Sequence, residues 1–274
     1  MLFRFLGLLF FVAVLLGSTA CDPYAKLAKS RKISDKDSVA YLYYKKKNYE
    51  QAGMIFQDLL GIYRGDYRYR RTLYHFAYCK YYLGEYSFAA EFFRQFETAY
   101  PGDELTEECA FMKAVCHRKM SDTYDLDQTE TVKAIEEYQL FVTQYPLSTR
   151  AKEANEHIKE LRLKLAEKSF KQADLYLKIS YFKAATIAFK NNIQEYPDSK
   201  YKEESYFKMF KASYLYASNS IPSKQEERYQ EAISAYLKFI DKFPGSEFKS
   251  EAENLYDKTI KALEKIKSNP GKTS

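Results

Sequence analysis

One spacing recurs five times along this chain and limits what it can fold into. An aromatic is followed three residues later by Ala, four later by a second aromatic, and eight later by a Pro that an aromatic precedes. The clearest copy is Tyr86, Ala89, Phe93 and Tyr100-Pro101. Phe182, Ala185, Phe189, Tyr196-Pro197 and Tyr229, Ala232, Tyr236, Phe243-Pro244 repeat it. Ala134, Tyr138 and Tyr145-Pro146 do so with Thr131 at the first place, and an eroded copy, Tyr49, Ala52, Phe56, has Arg64-Gly65 in place of the aromatic-Pro pair. Residues three and four apart share a helix face, so each triplet makes one buried stripe. Pro then stops the helix, because it lacks a donor and pushes its predecessor out of the α region. Asp103, Ser148, Ser199 and Ser246 follow each Pro by two residues. They are placed to accept a hydrogen bond from the first turn of the next helix.

A partner helix precedes each cassette, marked by Ala40, Ala77, Ala114, Ala173 and Ala212. In the uninterrupted copies this Ala leads the cassette Ala by twelve residues. Two small residues at that separation, with Pro twelve further on, resemble the tetratricopeptide repeat. The resemblance implies an all-α fold: a right-handed superhelix of about five helix pairs plus a C-terminal capping helix. It departs from the repeat consensus in having no Trp and in two polar insertions, near 121–130 and 218–227.

The chain divides accordingly. Residues 1–20 read as a signal peptide: Arg4, an apolar run Phe5–Leu16, then Ser18-Thr19-Ala20 before Cys21. That run is shorter than the ~20 residues that span a bilayer. Small residues ending on Cys resemble a bacterial lipoprotein signal, which implies a covalent lipid such as palmitate on Cys21 and no other cofactor. Asp22 resembles a signal for inner-membrane retention in some bacteria, so this residue alone leaves the membrane open. Residues 21–33 form the tether, 34–247 the repeat array, 248–267 the capping helix and 268–274 a flexible tail. Removing residues 1–20 takes away Arg4 and lowers the formal charge from +6 to +5, which does not point to nucleic acid.

The resemblance to the tetratricopeptide repeat implies a concave inner face, and, counting back from Pro101, the positions that face inward in that family correspond to Tyr74, Tyr78, Tyr81 and Tyr82, with Tyr41 and Tyr44 in the repeat before. Tyr offers a large apolar area, a hydroxyl and few rotors to freeze, so these six predict a peptide-binding groove. Arg64, Arg68, Arg70 and Arg71 interleave with Tyr63, Tyr67 and Tyr69 just ahead of it. That stretch reads as a solvated turn with Tyr packed below, or as a site for an acidic partner or anionic headgroups.

Catalytic chemistry is missing. His75, His117 and His157 have no metal-ligand spacing. There is no Gly-rich phosphate loop, nucleophile elbow or Ser/His/Asp order. Cys109 and Cys116, seven apart on one helix, are about 10 Å apart by helical rise, too far to bridge. Cys79 and Cys116 occupy equivalent places in adjacent repeats, as packing residues or as a pair in an oxidising compartment. The chain reads as a non-enzymatic binding scaffold.

The turns Tyr145-Pro-Leu-Ser148, Tyr196-Pro-Asp-Ser199 and Phe243-Pro-Gly-Ser246, with the Tyr-rich second repeat and the lipoprotein signal, resemble the BamD family, lipoproteins of the outer-membrane β-barrel assembly machinery. That resemblance implies a periplasm-facing outer-membrane anchor. It implies N-terminal repeats holding unfolded outer-membrane protein substrates, and C-terminal repeats docking the barrel subunit BamA alongside other assembly lipoproteins. The alternative is a periplasmic repeat lipoprotein that coordinates cell-envelope or division complexes. A glycan-binding role is disfavoured because no Trp is present to stack on sugars.

Overall fold

The computed structural model describes residues 25–30 and 32–268, so the expected signal peptide, Cys21 and nearly all of the expected tail lie outside the described residues. Every regular element among the described residues is an α-helix. In order they are α1 (Ala25–Ala28), α2 (Ile33–Lys45), α3 (Tyr49–Ile62), α4 (Arg68–Tyr82), α5 (Tyr86–Ala99) and α6 (Thr106–Met120). They continue with α7 (Thr129–Gln144), α8 (Ala151–Lys178), α9 (Phe182–Glu195), α10 (Lys202–Ser218), α11 (Pro222–Lys242) and α12 (Lys249–Ser268). Two compact units are formed, Met1–Cys116 and His117–Ser274, with the division inside α6.

Within each unit a helix packs on the next in sequence: α2, α3, α4 and α5 in the first, α7 through α12 in the second. The two sets of alanines explain the packing. Ala40, Ala52, Ala77, Ala89 and Ala114 in the first unit are 0% exposed, as are Ala134, Ala173, Ala185, Ala212 and Ala232 in the second. A methyl group at each place lets a neighbouring backbone approach. The adjoining Phe56, Phe93, Tyr138 and Phe189 are fully buried and fill the space beside it. Burying each such ring contributes roughly 1.5–3 kcal/mol.

The turn between pairs is the same everywhere. Tyr100, Tyr145, Tyr196 and Phe243 each donate a backbone N–H to the carbonyl four residues back, closing the helix. Asp103, Ser148, Ser199 and Ser246 each donate a backbone N–H to that aromatic's carbonyl. Their side-chain oxygens accept from the amides of Leu105, Arg150, Tyr201 and Phe248 at 2.9–3.1 Å. The first copy corrects the sequence reading. Tyr63, not Arg64, is its aromatic, and only Pro is replaced, by Arg64. Tyr63 is 1% exposed, Asp66 N–H donates to its carbonyl at 2.8 Å, and Asp66 Oδ1 accepts from Arg68 N–H at 2.8 Å. Gly65 at φ 79° supplies the left-handed residue that lets the chain turn without Pro.

Turns within pairs differ. Lys47, Gly84 and Ser180 hold φ values of 60°, 78° and 64° and end α2, α4 and α8 with one bond pattern, in which the following N–H reaches the carbonyl five residues back. This is a Schellman turn, in which Gly costs least. The other two pairs carry the insertions. Residues 121–128 form a loop held from several sides. Thr131 Oγ1 donates to Gln128 Oε1 at 2.7 Å, and Gln128 Nε2 donates to the carbonyls of Thr123 and Leu126. Lys164 Nζ, on α8, donates to Ser121 Oγ and the Asp122 carbonyl at 2.7 and 2.8 Å. Thr131 stands where the other cassettes have an aromatic because it serves this loop.

The second insertion is not a loop. Residues 219–221 connect the helices and Pro222 opens the 21-residue α11. Pro at a first helical position has its φ pre-set and no intrahelical donor to lose. Gln225 Nε2 donates to the Ser220 carbonyl at 3.1 Å, so the extra turns of α11 hold the short connection in place. In the same unit Asp174 joins Lys178 on α8 to Lys208 on α10, at 2.8 and 2.6 Å. Burial pushes its carboxyl upward, but the hydrogen bonds from the two lysines win and hold it below the usual carboxylate value.

Replacing Ala89 or Ala185 by Arg forces a charge into a contact with no free space, which overpacks it and leaves the charge unpaired. We expect a loss on the order of 3 kcal/mol or more in urea unfolding. Midpoints equal to the parent's would show that these residues do not form the helix contacts.

Candidate peptide-binding groove

The six tyrosines lie in the first unit, on and beside the face of α2 and α4 that the packing alanines do not use. Tyr41 and Tyr44 are three apart on α2, and His75 of α4 sits between them, with ring centroids 4.9 Å from each. Tyr44 reaches Tyr49 of α3 at 5.6 Å, and Tyr49 stacks on Tyr82 at 4.3 Å and 19°. Tyr82 contacts Tyr78 at 5.9 Å and Tyr81 at 5.5 Å, and Tyr78 contacts Tyr74 at 4.9 Å. All six therefore belong to one aromatic network. His75 and Tyr49 complete it, and neither was singled out for the groove from sequence. Tyr49 stood as a cassette residue and His75 as a scattered histidine. The signal was available, because Tyr41, Tyr44 and His75 fall on facing sides of adjacent first helices.

Their depths differ. Tyr82 is 49% exposed and Tyr78 only 7%. Tyr41, Tyr44, Tyr74 and Tyr81 are half-buried. Tyr78 donates its hydroxyl to Glu108 of α6, and burial, then that bond, pushes its ionisation far up. Tyr78 is thus a core residue supporting the surface. Burial likewise raises Tyr41 to about 12, against the pull of Arg71. His75 is held below its ordinary value by burial, and its Nδ1, 2.8 Å from the Arg71 carbonyl, donates there. The network is neutral at physiological pH. It offers ring faces and phenolic hydroxyls, which suits apolar side chains and the backbone of an extended segment.

The basic stretch, which from Arg68 on forms the first turn of α4 rather than a turn before it, lines a cleft of about 560 Å³ with Asp37, Tyr41 and Tyr100. Arg68 is tied to Asp66 at 2.7 Å and lies over the Tyr63 ring, 4.2 Å from its centroid. Arg70 pairs with Asp103. Arg71 lies over the Tyr41 ring at 4.5 Å. Tyr69 packs on the core while Tyr67 is 87% exposed.

The three described cysteines are buried and free. Burial pushes the Cys79 and Cys116 thiols up to about 12, so they stay protonated and act as small core groups. Among the described residues no group of three or more His, Cys, Asp or Glu could hold a metal ion. No helix among them is long and apolar enough to cross a membrane.

A protein-family model described as YfiO, outer membrane lipoprotein, matches residues 38–227. The chain belongs to this family of outer membrane lipoproteins. A curated relative, outer membrane protein assembly factor BamD of Caulobacter vibrioides, is 26% identical over 186 residues. That match takes in 68% of this chain and 58% of the relative's length. Among solved structures, a TPR repeats protein of Bacteroides fragilis is 14% identical, covering 85% of this chain and 100% of its own, with a TM-score of 0.42. The TPR2AB domain of yeast Sti1, in a complex with pHSP90, is 15% identical, covering 83% and 98%, with a TM-score of 0.38.

The depth difference sets a test. Tyr78→Ala opens a cavity and removes a hydroxyl bonded to Glu108, so stability should fall by about 3 kcal/mol or more. Tyr82→Ala removes a half-exposed stacked ring and should cost about 1 kcal/mol. Urea midpoints in the reverse order would show that Tyr78 is not in the core.

Proposed function

We propose that this protein is a non-enzymatic scaffold of outer-membrane protein assembly, held at the outer membrane by lipid on Cys21 and facing the periplasm. The first unit holds unfolded outer-membrane protein segments on the tyrosine surface. The observation that carries this reading is the continuous network from Tyr41 to Tyr82, left partly open in a chain of this family. Outer-membrane strands present alternating apolar residues and hydrogen-bonding backbone, and both suit rings with hydroxyl rims.

The second unit docks the barrel subunit BamA. It carries the apolar exposure that a protein interface needs. Leu175, Ile179, Tyr181, Ile187 and Ile221 are 48–64% exposed. Two clefts of about 580 and 640 Å³ meet along α9 at Ala184 and Ile187.

Binding energy concentrates in a few aromatics at such surfaces. A Tyr44→Ala, Tyr82→Ala double variant, which spares the buried Tyr78, should stay folded and bind a labelled C-terminal peptide of an outer-membrane protein at least ~10-fold more weakly. Its association with the barrel subunit should persist. Equal affinity of parent and variant removes the tyrosines from the function, and no binding by the parent leaves a docking scaffold alone.

Stable anchoring requires more than one acyl chain, which lipoprotein modification supplies. Cys21→Ser should therefore move a correctly processed protein from the membrane to the soluble periplasmic fraction. Quantitative retention on membranes stripped of its partners would rule the anchor out.

A further inference from the structure

The first unit carries a second surface close to where the lipid anchor is attached. Cys21 precedes Ala25 by four residues, so the two are at most about 14 Å apart in any conformation. Ala25 opens α1, which borders a groove shared with Met54 and Asp58 of α3. Asp58 pairs with Lys36 at 3.1 Å. The adjacent Asp37 accepts the Tyr63 hydroxyl at 3.2 Å and lines the arginine cleft. The start of α2, the end of α3 and the cleft thus belong to one end of the unit, and the groove beside α1 reaches that end at Asp58.

The charges at this end sort into two groups. Lys36, Arg68 and Arg70 are taken up by Asp58, Asp66 and Asp103. Lys26, Lys29, Arg64 and Arg71 are exposed and have no carboxylate partner among the described residues. Among these cations stands Tyr67, 87% exposed, far more than an aromatic held by its own fold. Leu27, between the two lysines, is 43% exposed. Unmatched cations with an amphipathic aromatic, beside an acyl chain, match a headgroup layer. There phosphates neutralise the cations and Tyr sits at the apolar–polar boundary.

We propose that this end of the first unit docks on anionic phospholipid headgroups of the membrane that holds the anchor, with Lys26, Lys29, Arg64 and Arg71 meeting phosphates and Tyr67 entering the headgroup layer. The proposal rests on the reading of Cys21 as the anchor. Docking fixes which way the unit stands on the membrane, so the tyrosine surface is presented in one orientation. An acidic peptide is the competing occupant. It is disfavoured because Lys26, Lys29 and Arg64 do not line the cleft.

The test uses the full processed chain with Cys21→Ser, which has no lipid of its own, and vesicles of about one-third phosphatidylglycerol in phosphatidylcholine, or of phosphatidylcholine alone, assayed by flotation. The chain should float with the anionic vesicles only, and less so as salt screens the charges. Arg64→Glu with Arg71→Glu should weaken this by at least about 25-fold, roughly fivefold for each cation removed. Tyr67→Ser should weaken it several-fold with unchanged thermal melts, since its ring is almost wholly outside the fold. No flotation of the parent, equal flotation of the variants, or an acidic peptide that loses binding in the arginine variant while flotation is kept would each overturn the proposal. Acyl mass on wild-type Cys21 is measured separately, so failure of the anchor is distinguished from failure of the docking surface.

Discussion

The structure depends on how closely its helices approach one another. At the ten cassette and partner-helix positions the chain carries Ala with no exposed surface, so only a methyl group stands between the packed helices there. Because the helices pack at those points, the large rings beside them are compressed into the gaps, as at Phe56, Phe93 and Phe189. The turns follow from the same demand. A pair can be laid on the next only if each helix stops at a fixed length, and the aromatic with its Asp or Ser three residues on gives one hydrogen-bonded stop every time.

That economy leaves the other side of the first helices free. On α4, Phe76, Ala77 and Cys79 are buried, whereas Tyr74, His75 and Tyr82 remain partly open. The tyrosine surface is what packing does not use, supported from below by Tyr78 and its bond to Glu108. A cluster of neutral rings keeps its character over a wide pH range, since burial moves Tyr41, Tyr44 and Tyr78 up and His75 down, away from neutrality.

Much of this was legible in residue order. Helix starts and stops could be read because Ala, Pro and the capping residue act locally, within one or two turns. The first copy was misread because the eye followed Pro, whereas the turn needs the aromatic Tyr63, the left-handed Gly65 and the acceptor Asp66. The 218–227 insertion could be located but not its form: exposed helix turns are as polar as loops, and Pro222 at a first helical position makes most of it the start of α11. The tyrosines could be placed on a face from the register of the repeat family, but not their depths. Burial of Tyr78 depends on Glu108 thirty residues away, and no local pattern reports a partner at that distance.

The 28 residues of α8 form one uninterrupted helix, about 42 Å long at helical rise. Its first half packs on α7 and reaches the 121–128 loop through Lys164. Near its middle the Ala166 carbonyl receives Asn192 of α9, and further along Asp174 is bonded to Lys208 of α10. In mechanical terms this member is a continuous beam. No hinge can form along it without breaking helical hydrogen bonds. A load applied by a bound protein at one end is therefore borne by the whole span.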